Sequence, residues 1–77
     1  MLISIIHFIV VGLNIGSDGT TSAIIEQRGV SGSLHEVRRA PSYWHLNDTI
    51  RVSTYMIEDS LGRRFEIDTL IIAARRK

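Results

Sequence analysis

The chain of 77 residues has no cysteine, a single proline and few aromatic residues. The absence of cysteine excludes disulfides, thiolate metal sites and thiol nucleophiles, and it fits a reducing compartment such as the cytoplasm. A chain of this length predicts one small domain, residues 1–77, which buries only about 60% of the surface that its unfolded form exposes. Self-association is a common way for so small a core to gain stability.

Basic side chains are missing from the first third of the chain. Residues 1–27 carry only Asp18 and Glu26, whereas all nine basic residues lie from Arg28 onward. Eight of these nine are arginine, whose planar fork of donors binds phosphate or carboxylate. This uneven distribution of basic residues fits a protein that recognises a partner through its surface. The alternative explanation is codon bias towards arginine.

The first sixteen residues, MLISIIHFIVVGLNIG, carry no charged side chain. No basic residue precedes the apolar run and no small-residue cleavage pattern follows it, so a secretory signal is not indicated. A membrane helix needs about 20 apolar residues, and this shorter run is interrupted by polar residues and glycine. Because Ile and Val favour strands, we predict a strand over residues 2–15 that is buried on both faces for much of its length.

The sequence Gly-Ser-Asp-Gly at residues 16–19 predicts a hairpin turn after this strand. Its central residues suit a type I turn, and Gly19 can take the left-handed conformation that closes a three-residue hairpin. Gly12 would lie opposite Ile24, where a missing side chain is typical of a bulge or sharp bend. The register predicts an apolar face with the pairs Leu13–Ala23, Val11–Ile25 and Ile9–Gln27, and a half-polar face with Val10–Glu26 and Phe8–Arg28.

The sequence Asp-Ser-Leu-Gly at residues 59–62 predicts a second hairpin turn by the same chemistry. Two opposite-charge pairs would flank it, each worth about 0.2–1 kcal/mol. An alternative places a helix over residues 65–76, because acidic residues come early and basic residues late in that segment. The predicted pairs are Asp59–Arg63, Glu58–Arg64, Ile57–Phe65, Tyr55–Ile67, Val52–Leu70 and Ile50–Ile72.

The segment between the two hairpins has two readings. Residues 33–36, Ser-Leu-His-Glu, have the form of a capping box that begins a helix, which would end before Pro41. The segment would equally form a third strand with Leu34, Glu36 and Arg38 on one side. The predicted fold is therefore mostly β: a small single-domain antiparallel sheet or partly open barrel built from two hairpins, with a possible short helix between them.

A loop rich in arginine and aromatic residues is the main candidate site. Arginine beside Tyr and Trp is typical both of protein interfaces and of platforms that bind single-stranded nucleic acid. The alternative is that Trp44 plugs the end of a small core and that Tyr43 covers it. The predicted binding residues are Arg38, Arg39, Tyr43, Trp44 and His45 in the loop, and Arg75, Arg76 and Lys77 in the basic tail.

No spacing among His7, His35 and His45 suits a metal site, and no phosphate loop, nucleophile elbow or dinucleotide fingerprint is present. The sequence therefore predicts a non-enzymatic protein without cofactor or metal. Two roles remain. The first is an interaction module that self-associates, or binds a protein partner, through the apolar N-terminal strand. The second is a small nucleic-acid-binding β-barrel that uses the arginine and aromatic loop; no membrane partner is expected.

Overall fold

The structure, a computed structural model, describes residues 4–70 and 72–75. These residues form one antiparallel sheet in the order β6-β5-β4-β1-β2-β3-β7, together with a single turn of helix. The predicted mostly β fold, a partly open barrel, is confirmed. Its elements are β1 (Ile6–Ile15), β2 (Thr21–Gln27), β3 (Leu34–Val37), β4 (Thr49–Val52), β5 (Met56–Glu58), β6 (Arg64–Glu66), α1 (Ile67–Leu70) and β7 (Ile72–Arg75).

The sheet curls into a half-barrel whose two edges are joined by α1. β6 and β7 lie at opposite edges of the sheet but are consecutive strands of the chain. So short a connection spans at most roughly 15 Å, which brings the two edges close together at this end. Leu70, the last residue of α1, is buried, and its carbonyl accepts a hydrogen bond from the Arg39 N–H at 3.2 Å.

The hydrophobic core lies on the inner face of the curled sheet. Alternate residues of the strands point into it, as the two-residue period of a strand requires. Residues from the connections close its ends, and the largest of them is the fully buried Trp44. The buried apolar residues are Phe8, Val10, Ala23, Ile25, Val37, Ala40, Trp44, Ile50, Ile57 and Leu70.

The first hairpin follows the predicted register only from its turn as far as Gly12. The pairs Leu13–Ala23 and Gly12–Ile24 agree with the prediction. Val11 is then an extra residue that forms a β-bulge, and every pair beyond it is shifted by one. The predicted pairs Val11–Ile25, Ile9–Gln27, Val10–Glu26 and Phe8–Arg28 are therefore wrong; the observed pairs are Val10–Ile25, Ile9–Glu26 and Phe8–Gln27.

The bulge exchanges the two faces of β1, since a shift of one residue moves every side chain to the opposite side of the sheet. Phe8 and Val10 are buried, whereas Val11 is 48% exposed and Ile9 is half-buried. The prediction that this strand is buried on both faces is wrong. The sheet has one covered face, and the end of β1 extends beyond the core.

The chain before the second turn is two short strands rather than one long strand. β4 and β5 fold back on each other at Ser53, whose hydroxyl donates to the Met56 carbonyl at 3.1 Å and accepts from the Met56 N–H at 3.2 Å. Serine side chains that bond to nearby backbone in this way stabilise turns. The predicted pairs Val52–Leu70 and Ile50–Ile72 are wrong, because Val52 and Ile50 pair instead with Ile6 and Phe8 of β1.

The residues close to the second turn pair as predicted, but of the two predicted ion pairs only Glu58–Arg64 forms, and the Asp59 carboxylate accepts the backbone N–H of Arg63 instead. Glu58 pairs with Arg64 and Ile57 with Phe65, and the Asp59 N–H donates to the Arg63 carbonyl at 3.0 Å. The Ile67 N–H donates to the Tyr55 carbonyl, also at 3.0 Å.

The two segments with alternative readings are both largely extended. Residues 34–37 form β3, so the strand reading is correct and the capping-box helix is not formed. Within the described part of residues 65–76, the helix is a single turn, α1, between β6 and β7. Residues 1–3, 71, 76 and 77 lie outside the described residues.

Two glycine substitutions are expected to differ in their effect on stability. Gly62 has a φ of 81°, where a side chain is disfavoured by about 1–2 kcal/mol. A Cβ at Gly12 would lie 3.5 Å from Ile24, an ordinary contact, and its φ is not left-handed. We expect Gly62→Ala to lower the free energy of unfolding by about 1 kcal/mol and Gly12→Ala to change it by less than about 0.5 kcal/mol in urea titrations. A larger loss for Gly12→Ala would show that the bulge depends on this glycine.

Candidate functional site

The structure places the predicted binding residues that it describes in different surroundings. Arg38, Arg39 and His45 are exposed, Tyr43 is half-buried, and Trp44 is only 2% exposed. Trp44 therefore closes the core, as in the alternative reading of this loop. Arg75 pairs with Leu34 at the edge of the sheet, and Arg76 and Lys77 lie outside the described residues.

Tyr43 and Trp44 both donate hydrogen bonds to the fully buried carboxylate of Asp59. The Tyr43 hydroxyl donates to its Oδ2, and the Trp44 Nε1–H donates to the same oxygen at 3.2 Å. The backbone N–H groups of Leu61 and Arg63, each at 3.0 Å, donate to its Oδ1. The second turn is thus joined to the loop of residues 38–48 through a single side chain.

The protonation of this cluster follows from its donors. Burial alone raises the pKa of Asp59, but the hydrogen bonds from Tyr43, the Arg63 backbone, Trp44 and the Leu61 backbone outweigh it and hold the pKa below its ordinary value of 3.8. Burial, followed by the hydrogen bond to Asp59, raises the pKa of Tyr43 above 10.0. Asp59 is therefore an ionised acceptor and Tyr43 a neutral donor at neutral pH.

Next to this cluster, arginines line an open groove of about 610 Å³. The Arg63 guanidinium lies 5.0 Å from the centre of the Tyr43 ring, in a cation–π arrangement. Arg39 and Arg64 line the same groove, with Phe65 and Leu70 among its apolar residues. None of its lining residues is acidic.

On the outer face of the sheet, Glu58 binds two arginines. Its Oε1 lies 2.6 Å from Arg51 Nη1, and its Oε2 lies 3.4 Å from Arg64 Nε. The hydrogen bonds from Arg51 and then Arg64 lower the pKa of Glu58. A depression of about 270 Å³ beside this cluster includes Ile5 and Met56 in its lining. The cluster joins β4, β5 and β6, and each of its arginines has an oxygen of Glu58 as its partner.

The end of β1 has an open backbone edge. β4 pairs with β1 only as far as Ile9, and Val10 bonds with the loop through Asn47 and Asp48 at 2.8 and 3.0 Å. Beyond Val10, no strand of the described residues pairs with β1 on the side away from β2. Since successive residues of a strand direct their backbone groups to opposite sides, residues 13 and 15 direct theirs to this open side.

The hydrogen bonds on the β2 side of β1 establish these backbone directions. The Gly16 N–H donates to the carbonyl of Thr20, the residue directly before β2, so Asn14 and Gly12 also direct their backbone groups to the β2 side. The intervening residues, Leu13 and Ile15, then direct theirs away from β2. We call these two residues the open edge of β1.

The open edge is apolar and uncharged. Ile15 is 74% exposed and Leu13 is 38% exposed, and the nearest exposed apolar side chain on the strand is Val11. Sheet edges are usually protected by charges, proline or a bulge, because unpaired backbone groups recruit other strands. β6 carries Arg64 and Glu66 at its edge. In β1 the bulge at Val11 lies before the open edge, and residues 12–15 have neither charge nor proline.

His35 is the histidine with the most unusual surroundings. Its Nδ1 is buried with no hydrogen-bond partner among the described residues, and its ring stands edge-on to Phe8 at 5.2 Å between centroids. Among residues 4–70 and 72–75, no group of three or more His, Cys, Asp or Glu side chains is placed to hold a metal ion.

We expect His35→Leu to raise the free energy of unfolding by about 1 kcal/mol, because a buried unpaired nitrogen is replaced by a carbon of similar volume. Thermal unfolding of the two proteins measures this difference. A loss of stability would mean that the His35 nitrogen has a partner in solution.

Sequence reasoning placed self-association on the N-terminal strand, but it missed the long-range contacts of Asp59 and did not identify Leu13 and Ile15 as the open edge. Asp59 could be placed in its turn from local chemistry, but its partners Tyr43 and Trp44 are about fifteen residues away in the chain. The signal for the open edge was the difference in length between β1, with ten residues, and β4, with four.

Comparisons with known proteins give no relative: no family model, curated protein or solved structure matches this chain. The one helix in the described part of the chain, α1, has four residues and is far too short to cross a membrane.

Proposed function

We propose that this protein is a non-enzymatic interaction module that pairs with a second copy of itself through the open edge of β1. The observation that carries the proposal is the uncharged backbone edge at Leu13 and Ile15, which no strand of residues 4–70 and 72–75 pairs with, and the exposed side chains of both residues. Adding a strand to such an edge satisfies its backbone groups and buries its side chains together. A cytoplasmic location fits the chain without cysteine.

A second copy is the partner that fits this edge best. Two copies related by a two-fold axis can pair antiparallel with Leu13 of each opposite Ile15 of the other. In that register Asn14 lies at the axis, and both outward-directed residues of each copy are hydrogen-bonded. No like charges meet, because residues 11–16 carry none.

The expected dimer is weak to moderate in affinity. The open edge offers a few backbone hydrogen bonds and a few apolar side chains. Each of these side chains contributes about 1.5–3 kcal/mol when it is fully buried. Much of this is offset by the loss of translational and rotational freedom. We therefore expect a dissociation constant on the order of 1–100 μM.

Sedimentation equilibrium of the full chain over about 1 μM to 1 mM tests the proposal, a range that brackets this affinity. We expect a reversible change from monomer to dimer that changes little with salt, since the edge is uncharged. A monomer throughout this range would contradict self-association. A larger open-ended aggregate would contradict a two-fold pairing.

A further inference from the structure

We propose that the groove between the loop of residues 38–48 and β6 binds a nucleotide unit, with the phosphate held by Arg39 and Arg63. The unit is either a free nucleotide or part of a single-stranded nucleic acid, and the two sources share this chemistry. The proposal is independent of the pairing through β1, because none of the groove's lining residues belongs to that strand.

The first support is the pair of arginines without carboxylate partners. The ion pairs of the described residues join Arg38 to Glu36, and Arg51 and Arg64 to Glu58. Arg39 and Arg63 have no such partner within the described residues, and both line the groove. Guanidinium groups bind phosphate through two parallel hydrogen bonds, which makes this pair suited to a phosphate.

The second support is that Arg63 is held in position before any ligand arrives. Its guanidinium lies over the Tyr43 ring, and the Tyr43 hydroxyl donates to the buried carboxylate of Asp59. The same carboxylate accepts the backbone N–H of Arg63. Asp59 therefore positions Arg63 through its ring partner and its backbone, which lowers the entropy cost of binding.

The third support is the apolar part of the groove. Phe65 and Pro41 are half-buried there, beside Leu70. The groove is open to solvent, and its volume of about 610 Å³ leaves room for a sugar and a base beside the arginines. A phosphate on the arginines would leave the sugar and base against this apolar wall, where a flat ring stacks or packs well.

The test is an NMR titration of amide resonances of the full chain with several probes at about 50 mM salt, where phosphate contacts are strong. The probes are adenosine 5′-monophosphate, a single-stranded DNA octamer of thymidine, inorganic phosphate and an octaglutamate peptide. We expect the nucleotide or the octamer to bind with shifts at Arg39, Arg63 and Phe65. Saturation by the monophosphate alone identifies a free nucleotide as the source, and tighter binding of the octamer identifies nucleic acid.

Arginine variants distinguish binding at this groove from attraction by the overall charge of the protein. Arg39→Ala and Arg63→Ala should each weaken binding by about tenfold or more, the loss typical of a charge-assisted hydrogen bond. Arg38→Ala is the control, because Arg38 is adjacent in sequence but pairs with Glu36 and does not line the groove. Dispersed spectra of each variant confirm that it is folded.

Three outcomes would overturn the proposal. The first is no binding of either nucleotide probe. The second is equal binding of octaglutamate, which would indicate a site for acidic peptides. The third is equal weakening by Arg38→Ala, which would indicate attraction by overall charge.

Discussion

Replacing Asp59 with alanine is expected to lower the free energy of unfolding by about 3–5 kcal/mol, near the upper end for single substitutions. The change leaves buried donors without an acceptor, among them the Tyr43 hydroxyl and the Trp44 Nε1. A domain of this size has a total stability of about 4–12 kcal/mol, so a loss of about 3–5 kcal/mol removes at least about a quarter of it and, at the lower end of the range, unfolds the variant. Urea unfolding followed by Trp44 fluorescence measures the loss.

Two further variants show whether the acceptor is responsible. Asp18→Ala alters the aspartate of the other hairpin turn, which is exposed and bonds only to Thr20, so it should cost less than about 1 kcal/mol. Asp59→Asn keeps the shape of the side chain, but its NH₂ group would face N–H and O–H groups that also donate. We therefore expect it to lower the free energy of unfolding nearly as much as Asp59→Ala. If Asp59→Asn were as stable as the wild type, the ionised carboxylate would not be what joins the turn to the loop.

The stability of the wild type should also fall in acid. The pKa values of Asp59 and Glu58 are both depressed in the folded protein, so each carboxylate stabilises the fold at neutral pH. That contribution is complete above the ordinary carboxyl values of 3.8 and 4.5 and is lost as the pH falls through the depressed ones. The slope of stability against pH below about 4 should be shallower for Asp59→Asn, which cannot titrate there.

Replacing Ile15 with lysine is expected to weaken self-association by at least about tenfold, and the double variant with Leu13→Lys to abolish it. Lysine on this edge would place like charges close to the two-fold axis and would have to be desolvated in the pairing. Both side chains are exposed in the single chain, so the free energy of unfolding of the monomer should hardly change. Sedimentation equilibrium measures the association and urea unfolding measures the stability.

Leu61→Lys is the matched control for this experiment. Leu61 is 66% exposed, close to the 74% of Ile15, but it lies in the turn of the second hairpin. It should leave association unchanged. Equal weakening by Leu61→Lys would show that association follows general surface hydrophobicity, and no weakening by Ile15→Lys would exclude the open edge as the interface.

The two main hairpin turns could be predicted because their chemistry is local. Asp18 and Asp59 bond to backbone within a few residues, and Gly19 and Gly62 have the positive φ that each turn requires. The pairs next to each turn were correct for the same reason.

The register further along the first hairpin could not be predicted from local chemistry. Gly12 indicated a bulge or bend, but whether Phe8 and Val10 or their neighbours enter the core depends on the pairing of β1 with β4 and on the hydrogen bonds of Val10 to the loop. The turn at Ser53 was missed because it contains no glycine, proline, asparagine or aspartate.

The loop of arginine and aromatic residues shows why composition alone was ambiguous. Trp44 is buried in the core and Tyr43 bonds to Asp59, whereas Arg39 faces a groove together with Arg63 from the other hairpin. The contacts that separate these roles join residues from distant parts of the chain.

Amide hydrogen exchange of the wild type, measured by NMR at about 5 and 500 μM, tests the pairing through β1 most directly, because these concentrations fall on either side of the expected affinity. We expect protection of the Leu13 and Ile15 amides to rise with concentration, while the Asn14 amide, directed towards β2, stays protected at both. Unchanged exchange at Leu13 and Ile15, in a folded protein with a protected Asn14, would contradict the proposed interface.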